Sequence, residues 1–248
     1  MQAIAWLQLK QVLGDKKVFF IGLFLAFPIL LSSAFTPSRE LGESVSAAIF
    51  LFLIYPQTTC GLLALLYGSS ILCSELDGKT ITYLFTRPIP KWKIFVAKIL
   101  AIIGFLTGPT LASFVVSWVV IGSPGGFRFV FGFALAIAFS IAVCTSIFFL
   151  ISVFFRKRPM VVGVIYGMVE FALSFIPALI STMTATYFLR SIVACVFNLH
   201  LRREEVERLV GAASVPVAVL TLLGITVGAM ALGCWLITKR EQVIVEAV

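Results

Sequence analysis

The residues able to do chemistry are few in this chain, and they stand apart from one another. The single histidine, His200, lies just before a charged run of Arg202, Arg203, Glu204, Glu205, Glu207 and Arg208. One imidazole cannot supply two axial ligands to a haem, nor anchor a multi-histidine metal site. Gly78-Lys79-Thr80 imitates the end of a phosphate-binding loop, but the position that needs the first glycine of that loop is Cys73. The strand that should precede it and the long nucleotide-binding fold that should follow are missing too. Cys60, Cys73, Cys144, Cys195 and Cys234 form no close pair, so the spacing indicates neither a disulfide framework nor zinc. Nothing resembles a nucleophile with its base. The expectation is a chain with no catalysis and no cofactor of its own; any nucleotide that powers it must be bound by another chain.

Glu170 is the one acid near the middle of a long apolar stretch. Facing lipid, its carboxylate would cost roughly 3 kcal/mol, so it must face protein or a wet cavity, or carry a proton. A polar packing anchor, a pathway lining and proton handling all remain open for it. Gly163, Gly167, Glu170, Ser174, Pro177 and Ser181 recur at offsets of 4, 3, 4, 3 and 4, which puts them on one helical stripe. Similar stripes run through Gln57, Gly61, Ala64 and Gly68, through Gly132, Ala136, Ser140 and Cys144, and through Thr221, Gly224, Gly228 and Ala231. Small residues so spaced let helices approach closely where lipid supplies no hydrophobic drive. Packing within the chain is the plain reading. The functional reading makes Gly163, Gly167, Glu170, Ser174 and Gln57 a dimer or pathway face.

The elements that must position these residues are set by composition. With 60% hydrophobic and 12% charged residues and a mean hydropathy of +1.10, 248 residues have too little polar surface to cover a soluble globule. Apolar runs long enough to cross a bilayer as helices predict an all-α membrane protein with six spans, at 18–35, 45–73, 94–121, 127–155, 160–181 and 213–237. The second, third and fourth exceed the bilayer thickness and are expected to tilt or project into water. If the spans alternate, Lys10, Lys16, Lys17, Lys79, Arg87, Lys91, Lys93, Lys98, Arg156, Lys157, Arg158, Lys239 and Arg240 fall on one side. Arg39, Arg128, Arg190, Arg202, Arg203 and Arg208 fall on the other. This asymmetry puts both termini in the cytoplasm of a multi-pass protein of the cytoplasmic membrane. The net charge of +8 therefore reports orientation in the bilayer and no nucleic-acid partner.

Within that frame, residues 1–17 place Ala5, Trp6, Leu9, Val12 and Leu13 on one helical face, as an interfacial helix does. The run 18–35 has span length and basic flanks, so it is expected to be a retained anchor and not a cleaved signal. The connections at 36–44 and 122–126 are short and rich in Gly, Pro and Ser, as tight outer turns require. Residues 182–212 are apolar through Tyr187, Phe188, Ile192, Val193, Val196 and Phe197, but Arg190 interrupts them. One or two short helices dipping into the outer leaflet fit better than a seventh span, which would carry Lys239 and Arg240 outside.

Residues 74–98, SELDGKTITYLFTRPIPKWKIFVAK, form a polar, proline-broken segment between two apolar runs. Ser74 with Asp77 approximates a capping box, a short helix is expected over 80–85, and Pro88 and Pro90 end it before Lys91, Trp92 and Lys93 return to the interface. Glu75, Thr80, Leu84, Arg87-Pro88, Lys91-Trp92 and Lys98 resemble the cytoplasmic loop of the type-two ABC exporter permeases: an acid, a Gly-Thr, a leucine-rich turn, a proline, a basic residue and a lysine opening the next span. The layout of the whole chain is similar to that family, although Lys79 separates Gly78 from Thr80 here. The resemblance implies a membrane subunit without ATPase activity, a second permease half in a homodimer or heterodimer, and soluble ATP-binding-cassette subunits. It further implies that 74–93 is the coupling segment, with Glu75, Thr80, Tyr83, Leu84, Phe85, Arg87 and Pro88 as the partner-binding residues. An ion- or proton-coupled secondary transporter or channel, and a non-transporting membrane scaffold, are the alternatives.

Overall fold

The computed structural model describes residues 17–35, 43–69, 91–123, 126–155, 158–174, 184–196 and 214–245. The described residues are almost entirely helical. Helix α1 is Lys17–Ser33. The second rod is α2 (Glu43–Phe52), a π-helical segment (Leu53–Thr59) and α3 (Cys60–Gly68), run together without a break. There follow α4 (Lys91–Val120), α5 (Gly126–Phe154), α6 (Pro159–Leu173), α7 (Ala185–Val196) and α8 (Val215–Val245).

Four of these are long and apolar enough to cross a membrane: Ser46–Gly68, Trp92–Val120, Phe129–Phe154 and Val215–Lys239. The expected first and fifth spans are apolar but shorter. At 17 and 15 residues they rise about 25 and 22 Å, against roughly 30 Å of hydrocarbon. Helix α6 runs to Leu173, and 175–181 of the expected fifth span lie outside the described residues. Its end is capped: the Ser174 hydroxyl donates to Phe171 O at 2.9 Å, taking up a carbonyl the helix leaves open. The 12 residues of α7 rise about 18 Å, too little to span. The expected interfacial helix lies outside the described residues up to position 16, as do 74–90 of the coupling segment and 182–183 and 197–212 of the outer segment.

Helix α5 is the axis of the fold. It packs against α3, α4, α6, α7 and α8, and it buries Phe133, Ile137, Ile141, Val143, Phe149 and Val153 around most of its circumference. A helix apolar all round must lie inside a bundle, and this one does. Phe114 of α4 stacks on Phe133 of α5 at 5.2 Å and Phe133 on Phe129 at 4.7 Å, closing the α4–α5 seam. The turn between them is a Schellman motif: Gly122 N donates to Val119 O and Ser123 N to Trp118 O, with Gly122 at φ 99°. Leu23, Phe27 and Leu30 of α1, Ile165 and Met168 of α6, and Leu220 and Val227 of α8 all point away from the bundle. Together these faces form the apolar exterior that a bilayer would wet.

Candidate functional site

The polar groups of the bundle converge on three consecutive residues, Tyr55, Pro56 and Gln57, at the centre of the π segment. Pro56 explains why the helix is π there. Its ring has no N–H to give and would clash with the carbonyl four residues back, and widening the turn relieves both problems. The wider turn closes through longer bonds, with the Cys60 N–H donating to Tyr55 O and the Thr58 hydroxyl to Leu53 O at 2.8 Å.

Each of the three residues reaches a different neighbour. The fully buried Tyr55 hydroxyl lies 2.8 Å from Ser113 Oγ and 2.7 Å from Ser117 Oγ, one turn apart on α4. Ser113 in turn donates to Leu25 O of α1 at 2.9 Å. Pro56 O accepts from Ser140 Oγ of α5 at 2.6 Å. Gln57 Nε2 donates to Ser174 Oγ at the end of α6, also at 2.6 Å, while its Oε1 accepts from Arg190 Nη2 of α7 at 3.5 Å. The guanidinium fixes that amide orientation, because the reverse one would set NH2 against N–H.

Ser174 is fully used. Its hydroxyl donates to Phe171 O and accepts from Gln57 Nε2 and from Arg190 Nη2 at 3.3 Å, while its carbonyl accepts from Arg190 Nη1 at 2.9 Å. Arg190 thus sits at the C-terminus of α6, where a cation is favoured by the helix dipole, with its guanidinium 5.8 Å from the Phe52 ring. Glu170, one turn earlier, does the converse. Its carboxylate takes the hydroxyl of Thr186 at 3.5 Å and lies within hydrogen-bonding reach of the Tyr166 hydroxyl and of the Ala185 and Thr186 N–H groups, where α7 begins. Helices α6 and α7 therefore cap each other, through Arg190 at the end of α6 and Glu170 at the start of α7, and α7 starts beside the last turn of α6.

Of the residues singled out from sequence, Gln57, Glu170 and Ser174 come together in this network. Gly163 lies on the same side of α6, two turns lower, where any Cβ would collide with Leu65 Cδ1 and meet Phe148 at 3.3 Å. Gly167 has open space beside it. Pro177 and Ser181 of the same stripe lie outside the described residues, as do Glu75, Thr80, Tyr83, Leu84, Phe85, Arg87 and Pro88. Lys91, Trp92 and Lys93 form the first turn of α4, with the Trp92 indole half exposed. Sequence reasoning missed Tyr55, Ser113, Ser117 and the role of Arg190. A proline between Tyr55 and Gln57 inside an apolar run was the available signal, since a broken backbone ladder in lipid needs polar side chains nearby.

No curated protein and no solved structure matches the chain. A family model does, that of the ABC-2 family transporter proteins, over residues 57–242, from the π segment to the end of α8. The match spans most of the chain, and the chain belongs to the ABC-2 family of transporter proteins, as a multi-pass membrane protein.

Proposed function

We propose that the chain is the membrane-spanning permease half of an ABC exporter, moving its substrate across the cytoplasmic membrane with ATP hydrolysed on a separate subunit. The family match over 57–242 carries this reading. The helix arrangement is consistent with six crossings, counting α1 and α6 as short ones, with both termini cytoplasmic. On that topology α3 and α4 end at the inner surface on either side of 74–90, where a soluble ATPase would dock. Tyr83, Leu84 and Phe85 would supply the apolar anchors, Glu75 and Arg87 the charges at the rim, and Thr80 and Pro88 the shape of the segment. A second permease half would complete the pathway, and Gly167, open on α6, is free to face it or the lipid.

The test is capture of an ATPase by the purified permease from its own membrane. Copurification of a soluble subunit whose ATP hydrolysis rises with the permease present supports the reading. A permease that captures none and moves substrate on an ion gradient instead is a secondary transporter.

A further inference from the structure

The polar reach of the π turn is wider than packing of one helix on its neighbours requires. Successive residues of a helix project in different directions, so three in a row can meet different neighbours. In a regular spanning helix some of those directions face lipid. Here Tyr55 ties to α4 and through Ser113 to α1, Pro56 O to α5, and Gln57 to both α6 and α7. The turn also divides its rod in two: α3 leads from it toward 74–90, and α2 leads the other way.

We propose that the π turn is a joint in this rod and that Arg190 is the positioning residue that sets it. The planar guanidinium bridges the rod and the α6–α7 pair, one nitrogen on the Ser174 carbonyl and the other shared by Ser174 Oγ and Gln57 Oε1, and so braces the direct bond from Gln57 Nε2 to Ser174 Oγ. A lysine, being a point charge, can hold the carbonyl but not the fork. With Arg190 in place, a displacement of α3 is delivered through Gln57 to the ends of α6 and α7. Without it, the Gln57–Ser174 bond alone ties the side chain of the turn to that pair, and α3 can shift with less effect on α7. The link to ATP rests on the permease reading above; the setting of the joint does not.

Hydrogen exchange on the full-length permease in lipid nanodiscs, with no ATPase present, tests the joint directly. Arg190→Gln is expected to speed exchange of the amides at 57–60 by about tenfold or more, together with those at 185–190. Arg190→Lys should restore protection at 185–190 and only part of it at 57–60. Acceleration confined to 185–196, with 57–60 unchanged, would overturn the proposal and leave Arg190 as a cap of α6. If Arg190→Gln does not insert, Gln57→Ala removes that bridge from the rod side together with the Gln57–Ser174 bond, and protection at 57–60 is expected to fall at least as far. In the complex with its ATPase, ATP should change exchange at 57–60 in the unmodified chain and not in Arg190→Gln. An ATP response that survives Arg190→Gln would show that the joint is driven by another route. Failure to capture an ATPase overturns the permease reading, while the first measurement still decides whether Arg190 sets the turn.

Discussion

Glu170 illustrates how an acid inside a helix bundle is made tolerable by hydrogen-bond donors. Its carboxylate is satisfied by donors, the hydroxyls of Thr186 and Tyr166 and the first amides of α7. A glutamine keeps an acceptor oxygen in the same place, and the Tyr166 hydroxyl can rotate to accept from the new NH2. A leucine of similar size strands those donors where water does not reach. Glu170→Gln is therefore expected to unfold in detergent at close to the temperature of the unmodified chain, while Glu170→Leu loses about 1–3 kcal/mol. Equal stability of the two variants would show that the donors find other partners. If Gln instead abolished transport with folding intact, proton handling would replace capping as the role of this acid.

At the scale of the helix, glycines differ by what stands opposite them: in α8 the stripe glycines Gly224 and Gly228 are open, and Gly233, outside that stripe, is not. A Cβ on Gly233 of α8 would come within 2.5 Å of Phe149 Cε1 and 3.0 Å of its Cδ1, on a fully buried ring of α5. Gly228, further up α8, meets nothing within 4 Å. Gly233→Ala is expected to cost about 1–3 kcal/mol by overpacking the α5–α8 seam. Gly228→Ala should be neutral or stabilising by up to about 1 kcal/mol, because alanine is the better helix former. Thermal unfolding of the two single variants checks the order; the reverse order would mean that α8 packs on α5 through its other face. The stripe in α6 itself divides, with Gly163 pressed against α3 and α5 and Gly167 open, so one periodic pattern serves two surroundings.

At the scale of the whole molecule the expectations concern sidedness and coupling. If the charge asymmetry orients the bundle, cysteines introduced at 79 or at the C-terminus will resist a membrane-impermeant thiol reagent in intact cells, and one at 205 will react. Labelling at 79 from outside would invert the topology. If 74–93 is the docking segment, Leu84→Ala with Phe85→Ala removes two apolar anchors, and losing one central anchor typically costs about 2 kcal/mol. The double variant should insert normally yet lose roughly thirty-fold or more in affinity for the ATPase. Changes at Arg156 or Lys157, in the other inner turn, should leave capture intact. Undiminished capture by the double variant would move the docking surface elsewhere.

The sequence by itself determined the class of this protein, because class depends on sums. Sixty per cent hydrophobic residues in long runs cannot be covered by 12% charged ones, and a helix is the form in which such a run meets its own backbone hydrogen bonds in lipid. The long apolar helices and the lack of a catalytic cluster in the sequence follow from the same reading, and the loop at 74–98 pointed to the transporter family before any coordinates. Only the tertiary structure decided which polar residues inside the bundle meet. Glu170 and Arg190 are 20 positions apart in sequence, Gln57 and Arg190 133 apart, and periodicity says which face a residue occupies but not which helix lies opposite. The partner of the Ser174 carbonyl was hidden for the same reason: Arg190 belongs to another helix, and an apolar run carries no mark of a partner that arrives from elsewhere in the fold.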